Sequence, residues 1–389
     1  LTASSPQDTA ARLRRWAIDQ GLPLWATVGF DRQHGRFHER LTMQGVPVVD
    51  VPVRLLVQGR QVYSYGLAAR RGWHPEARKL VEQAFSSMIR DYHRRDGRDG
   101  WVFSIERNGA VADARRDLYS HAFVLLAAGA YLQATGDRSA LKVADDTLAY
   151  LDTELRAPRG GGYLEGDQAG NAPRRQNPHM HLFEGLLNLW SSSRERRYFV
   201  RAEAMFELFA GQFFLPGPGV LCEYFDDELK PVTGVAGRIV EPGHHYEWIW
   251  LLRWFERESG RSVRPYADRL FEHANRYGYD KDGLIVDEAL IDGSHNLTSH
   301  RTWPVTEAIK ANVVEASAGR AQAGARAVAL VNLLLERFLT REPAGGWIDR
   351  LDEHGRAATD FMPASTLYHV MCAIDEFDRF AAAAPDAGR

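Results

Sequence analysis

The stretch 279–293, YDKDGLIVDEALIDG, reads as a short hairpin: a turn glycine, an alternating apolar run, then Asp-Gly. Five other segments share its turn residues, an aromatic or β-branched residue and nearby acids. They are GFDRQHGRFHERL (29–41), DGRDGWVFSIERNG (96–109), RGGGYLEGDQAGN (159–171), PGPGVLCEYFDDELKP (216–231) and AGGWIDRLDEHGR (344–356). One glycine from each of the six, Gly35, Gly100, Gly161, Gly219, Gly283 and Gly346, gives spacings of 65, 61, 58, 64 and 63 residues. Self-similarity at a near-fixed period signals a repeat architecture.

Helical patterns fill the intervals, two by two: 7–20 and 49–71, 76–93 and 116–135, 138–156 and 178–193, 196–211 and 242–258, 263–277 and 303–318, 320–339 and 364–380. Leu118, Val124, Leu125, Ala128 and Leu132 recur at helical spacing, as do Leu182, Leu186, Leu189 and Trp190. Pro75-Glu76 and Asp137 read as helix starts, and Gly72, Gly136 and Gly260 as helix ends. One helix pair cannot bury both its faces, so pairs stack. Six pairs closing on themselves leave no exposed end. The expected fold is an all-α (α/α)6 barrel, a toroid of six helix pairs with short β-hairpins at one mouth. It forms a single catalytic domain over 1–389, with 381–389 as a frayed tail. The helix after each hairpin would line the inside. An open α-solenoid is the alternative.

Composition narrows the function. The chain has 389 residues, 45% apolar and 25% charged, with a formal net charge of −3, so neither nucleic acid nor a membrane is expected as a partner. Its two cysteines, Cys222 and Cys372, make no disulfide framework and fit a reduced, cytoplasmic protein. No apolar run approaches the ~18–20 residues of a membrane span, and no secretory h-region is visible near the N-terminus. Ten Trp and 14 His suit a carbohydrate site, where flat apolar faces meet polar edges.

Unusual polar residues gather at the starts of the helices that follow hairpins, which a toroid would bring to one mouth. Arg54, Gln58 and Arg60 sit inside an otherwise apolar helix. Arg60 is either half of a structural ion pair or an anchor for sugar hydroxyls, which its five fixed donors would suit. Tyr119 and His121 open the next such helix. Asn177, His179, His181 and Glu184 crowd another. His179 and His181 diverge by roughly 200° on a helix and do not readily share a metal, whereas His181 and Glu184 face together. His244 and Glu247 likewise share a face, and the helix N-terminus would favour a neutral imidazole suited to a general base. Trp303 serves either packing or a sugar platform, beside Pro304 and Glu307. His369 lies in an apolar helix, where a core role competes with a catalytic one.

Six motifs in order, QGR ending at Arg60, YSHAF at 119–123, NPHMHLFE at 177–184, GHHYEW at 243–248, RTWPVTE at 301–307 and STLYH at 365–369, resemble the N-acylglucosamine 2-epimerase family, including its mannose and sulfoquinovose isomerase branch. The resemblance spans nearly the whole chain and implies an (α/α)6 barrel. It implies His244 and His369 as acid/base residues, His181 as an aid to ring opening or a substrate contact, and Arg60, Tyr119 and Glu247 as substrate contacts; Asn177 and Trp303 are expected beside them as substrate-binding residues. It implies no metal and no other cofactor, and no P-loop motif is present. The expected partner is a small-molecule sugar, and a homodimer is left open.

The chemistry then follows. A base removes the C2 proton of an open-chain aldose and the oxyanion is stabilised, for which Arg60 is a candidate, giving a cis-enediol(ate). Protonation at C1 yields a ketose; protonation at C2 from the other face yields the epimer. The expectation is a cofactor-independent aldose–ketose isomerase acting on a free hexose such as mannose. The alternative is N-acyl-D-glucosamine 2-epimerisation. Leu56 stands where some isomerases of the family carry an aromatic residue. More distant readings are a non-catalytic sugar-binding protein or a glycoside hydrolase. The hydrolase would recruit a carboxylate pair from residues such as Glu165, Asp226 and Asp349.

Overall fold

The computed structural model describes residues 5–168, 170 and 172–384. Its helices in chain order are α1 (Pro6–Trp16), α2 (Leu22–Thr27), α3 (Leu55–Arg71), α4 (Ala77–Tyr92), α5 (Leu118–Thr135), α6 (Ser139–Glu154), α7 (Gln176–Ser193), α8 (Arg196–Leu208), α9 (Pro242–Ser259), α10 (Arg264–Tyr277), α11 (Thr302–Ser317), α12 (Ala323–Arg337) and α13 (Thr366–Ala383). Strands among the described residues are two or three residues long.

Two helices depart from the expected limits. The first helical rod runs on to Thr27, because a π-turn at Ala17–Gly21 lets Leu22 N–H reach Ala17 O and puts Pro23 in the first turn of α2. There its missing N–H costs nothing. The expected 49–71 helix starts only at Leu55. Pro52 disfavours helical backbone before it, and Val53–Arg54 pairs as a strand. The expected stops hold: Gly72, Gly136 and Gly260 each adopt the left-handed conformation beyond α3, α5 and α9. Residues 381–383 of the expected tail are helical, and 385–389 lie outside the described residues.

The hairpins also do more than close on themselves. Phe30–Asp31 pairs locally with Arg36–Phe37, and Phe214–Leu215 with Val220–Leu221. The strand entering an inner helix instead pairs with the next repeat: Val53–Arg54 with Ser104–Ile105, Arg174–Arg175 with Tyr224–Phe225, and His300–Arg301 with Arg350–Leu351. Each such ladder ties one repeat to its neighbour.

Contacts group the chain into two compact units. A central unit comprises Gly29–Glu39 and Pro47–Val240; a terminal unit comprises Leu1–Val28, Arg40–Val46 and Glu241–Arg389. In the central unit α3 packs on α5 and α5 on α7. These three inner helices are buried on nearly every face, whereas outer α4 buries one stripe of Leu80, Val81, Ala84, Phe85 and Met88. Close approach needs Gly59: a Cβ there would meet the Phe123 carbonyl oxygen at 2.6 Å. In the terminal unit α11 packs between α9 and α13, and α1 packs on α12 and α13. Cys222 and Cys372 are buried and not in a disulfide. Among the described residues no helix is long and apolar enough to cross a membrane.

Candidate active site

In the central unit the fourth residue of each inner helix pins a hairpin. Gln58 accepts Phe37 N–H and donates to Phe37 O, both at 2.9 Å. His121 Nδ1 lies 2.7 Å from Asp117 O, and its Nε2 accepts Trp101 N–H at 3.3 Å. His179 does the same with Arg175 O and Tyr163 N–H, at 3.1 and 3.0 Å. Each ring therefore donates from one nitrogen and accepts at the other, so it must be neutral. Burial pulls both pKa values down to about 4. These two histidines hold the fold.

Two residues further along, the sixth positions form a different layer. Arg60 donates to the Tyr119 hydroxyl at 2.7 Å and lies 4.4 Å from the Phe123 ring centre. His181 packs edge-on to Tyr119 at 5.1 Å and against Phe123 at 4.6 Å. Its Nδ1 is 3.0 Å from Glu184 Oε2, so the expected pair forms. Arg60, Tyr119 and His181 are thus brought together. Asn177 is half-buried, and its Oδ1 has no hydrogen-bond partner among the described residues.

Three helices of the terminal unit present parallel stripes. Helix α9 carries His244, Glu247 and Trp250; α11 carries Trp303, Glu307 and Lys310; α13 carries His369. In the uppermost layer the indole of Trp303 touches both imidazoles, with ring centres 4.9 Å from His244 and 5.8 Å from His369. Gly243 makes room for it, since a Cβ there would lie 2.5 Å from Trp303 Cη2. Below, His369 Nδ1 is 2.8 Å from Glu307 Oε1, and Lys310 Nζ is 2.5 Å from Glu307 Oε2. The carboxylate holds Nδ1 as the protonated nitrogen and leaves Nε2 as the lone-pair end. The carboxylate of Glu241, one turn before the ring of His244, lies 3.8 Å from its Nδ1. Glu247 approaches Glu307 and His369, with ligand atoms within 4.8 Å of one another. Among the described residues of this unit, those three are the group that could hold a metal ion, although Glu307 already faces His369 and Lys310.

A family profile described as N-acylglucosamine 2-epimerase (GlcNAc 2-epimerase) matches residues 35–373. The chain belongs to that family. It is 36% identical to the mannose-6-phosphate isomerase of Rhizobium meliloti, over 95% of this chain and 96% of the relative. It is 28% identical to the D-mannose isomerase of Thermobifida fusca, over 69% and 70%. The solved cellobiose 2-epimerase of Spirochaeta thermophila superposes with a TM-score of 0.85 at 22% identity, covering 97% of each chain. The fold is the (α/α)6 barrel, and the chain is a sugar isomerase or epimerase.

Within that family the acids a hydrolase would need are committed elsewhere. Glu165 accepts Arg175 N–H and its guanidinium, and Asp226 caps its own turn at Glu228 and Lys230. Asp349 accepts the Thr366 hydroxyl at 2.5 Å. Lys310 and Trp250 have no place among the candidate residues named from sequence, and Glu307 stands there in a motif without a role. The signal was there: Trp303, Glu307 and Lys310 follow one another at i, i+4 and i+7, and a lysine interrupts an apolar helix.

Proposed function

We propose that this protein is a cofactor-independent aldose–ketose isomerase acting on a free hexose such as mannose, with His244 and His369 as its acid/base residues. The observation that carries the reading is the shared tryptophan: both imidazoles lie against Trp303, and one of them has its tautomer fixed by a buried carboxylate. A neutral imidazole, accepting through its unprotonated ring nitrogen, removes the C2 proton of the open-chain aldose. The C2–H electrons form the C1–C2 double bond of an enediolate as the carbonyl π pair moves to O1. Protonation at C1, with the O2 proton passing to O1, gives the ketose. The half-buried indole of Trp303 offers the flat apolar face that sugar C–H groups favour. Arg60, Tyr119 and His181 are proposed as sugar-binding residues on the chemistry of their own cluster, and Asn177 as a further one on its unpartnered Oδ1. The Arg60 guanidinium and the Tyr119 hydroxyl together offer directional partners for hydroxyl oxygens.

A neutral sugar is favoured over a phosphorylated one by the arginines that precede the inner helices, each of which already faces a carboxylate. Arg54 meets Glu39 at 2.6 Å and Arg175 meets Glu165 at 2.8 Å. Arg301 meets Asp287 and Glu241 at 2.9 and 3.0 Å, and Arg116 meets Asp96 at 2.7 Å. Burial opposes the Arg301 charge, yet Glu241 and Asp287 hold its pKa above the ordinary range. A phosphate dianion would have to displace a carboxylate to use any of these four arginines.

The test is product identification by NMR after incubation with mannose, mannose 6-phosphate and N-acetylmannosamine in separate tubes. Fructose from mannose, at the highest kcat/KM of the three, is expected. N-acetylglucosamine as the main product would replace isomerisation with 2-epimerisation. Preference for the phosphate would overturn the neutral-sugar assignment.

A further inference from the structure

Lys310 is a charged side chain with no exposure to solvent, inside an otherwise apolar stretch of α11. Its Nζ is 2.5 Å from Glu307 Oε2, and Glu307 is equally buried. It also sits 3.7 Å from the ring centre of Trp250, whose Nε1 donates to Glu376 at 3.1 Å. A buried ion pair is a poor stabiliser: removing each charge from water costs several kcal/mol, and a well-packed apolar pair is often as stable or more so. The pair therefore calls for a use beyond packing, and the geometry supplies one. The second oxygen of Glu307 is the one facing His369 Nδ1, at 2.8 Å.

We propose that Lys310 is a positioning residue for the reaction, keeping Glu307 as a fixed carboxylate that in turn holds His369 in the Nδ1–H tautomer with Nε2 as proton acceptor. The inference rests on the reading of His369 as an acid/base residue. Without the ammonium, Glu307 would face Glu247 and His369 as a buried carboxylate with its chief counter-charge removed. It would then rotate, take up a proton or draw in water. In each case the imidazole loses its fixed partner. A protonated carboxyl could donate to Nδ1 and select the wrong tautomer.

The test uses the full-length protein labelled with 15N-histidine, in which two-bond 1H–15N spectra read the tautomer of each ring. His369 is assigned by the signal missing from His369→Gln. The wild-type protein is expected to show His369 as the Nδ1–H form. Lys310→Met is expected to show a mixed or reversed tautomer, with kcat on the best aldose lowered by ~10–10²-fold and KM within about twofold, part of the ~10²–10⁴-fold that a general base contributes. A normal tautomer or a wild-type kcat in Lys310→Met overturns the proposal. If that variant fails to fold, the double variant Lys310→Met/Glu307→Gln removes one charge of each sign and is expected to fold while losing both the fixed tautomer and the rate. A double variant with wild-type kcat and tautomer overturns it equally. Should the wild-type protein turn over no aldose, the acid/base reading falls, while the tautomer spectra still decide whether Lys310 governs His369.

Discussion

His369 Nδ1 lies 2.8 Å from the carboxylate of Glu307, and both side chains are almost wholly withdrawn from solvent. A hydrogen bond to a charged partner in such surroundings contributes ~1.5–3 kcal/mol. It also decides which ring nitrogen can take a proton. Glu307→Gln is therefore expected to lower kcat by ~10–10²-fold with KM little changed, because the amide is uncharged and can present its N–H₂ end to the ring. Steady-state kinetics on the best aldose check this. A fall in kcat/KM that resides wholly in KM would assign Glu307 to substrate binding.

Gly243→Ala tests the seat of Trp303. An alanine in a helix normally gains up to ~0.5–1 kcal/mol over glycine. Here the new Cβ would lie 2.5 Å from Cη2 and 2.6 Å from Cζ3 of the indole. Overpacking costs ~1–3 kcal/mol, so the clash outweighs the propensity gain. A lower melting temperature and a reduced kcat/KM are expected together. A variant as stable and active as the wild type would show that the indole position is not constrained by α9.

The pinning histidines predict an acid limb in stability. Burial lowers the folded pKa of His121 and His179 from 6.5 to about 4. Between those values the unfolded chain binds protons that the folded chain refuses. Stability therefore rises with pH across this window, is fully present above 6.5, and is lost as pH falls toward 4. Gln58 fills the same role in α3 without titrating. His179→Gln should thus preserve the pin and flatten the melting-temperature profile between pH 6.5 and 4. An unchanged slope would assign the acid limb to other groups.

These pins also show where the sequence was legible and where it was not. Hairpin period, helix pairing and the stops at Gly72, Gly136 and Gly260 follow from turn chemistry and apolar spacing, which are local. His179 and His181 look alike as letters. Only the hairpin folding back over α7 assigns His179 to Tyr163 N–H, while the next half-turn leaves His181 to Glu184 and Tyr119. The Glu307–His369 bond joins residues 62 apart on different helices, so no spacing rule reaches it. The approach of Glu241, at the entry to α9, to the His244 ring likewise depends on how the chain enters that helix.

Metal dependence is a further check on the terminal unit. Glu247, Glu307 and His369 bring ligand atoms within 4.8 Å of one another, but Lys310 already supplies a positive charge to Glu307. Activity on the best aldose should survive dialysis against EDTA. Loss that a divalent cation restores would replace the acid/base account with metal-assisted proton transfer.

The central claim is that His244 and His369 carry the proton between C2 and C1. Its most direct test is the turnover of mannose, followed by NMR, by the wild-type protein and by His244→Ala and His369→Ala, with folding verified by circular dichroism. The wild type should form fructose, and each variant should lose ~10²–10⁴-fold in kcat. A folded variant of either histidine that makes fructose at the wild-type rate would contradict the account.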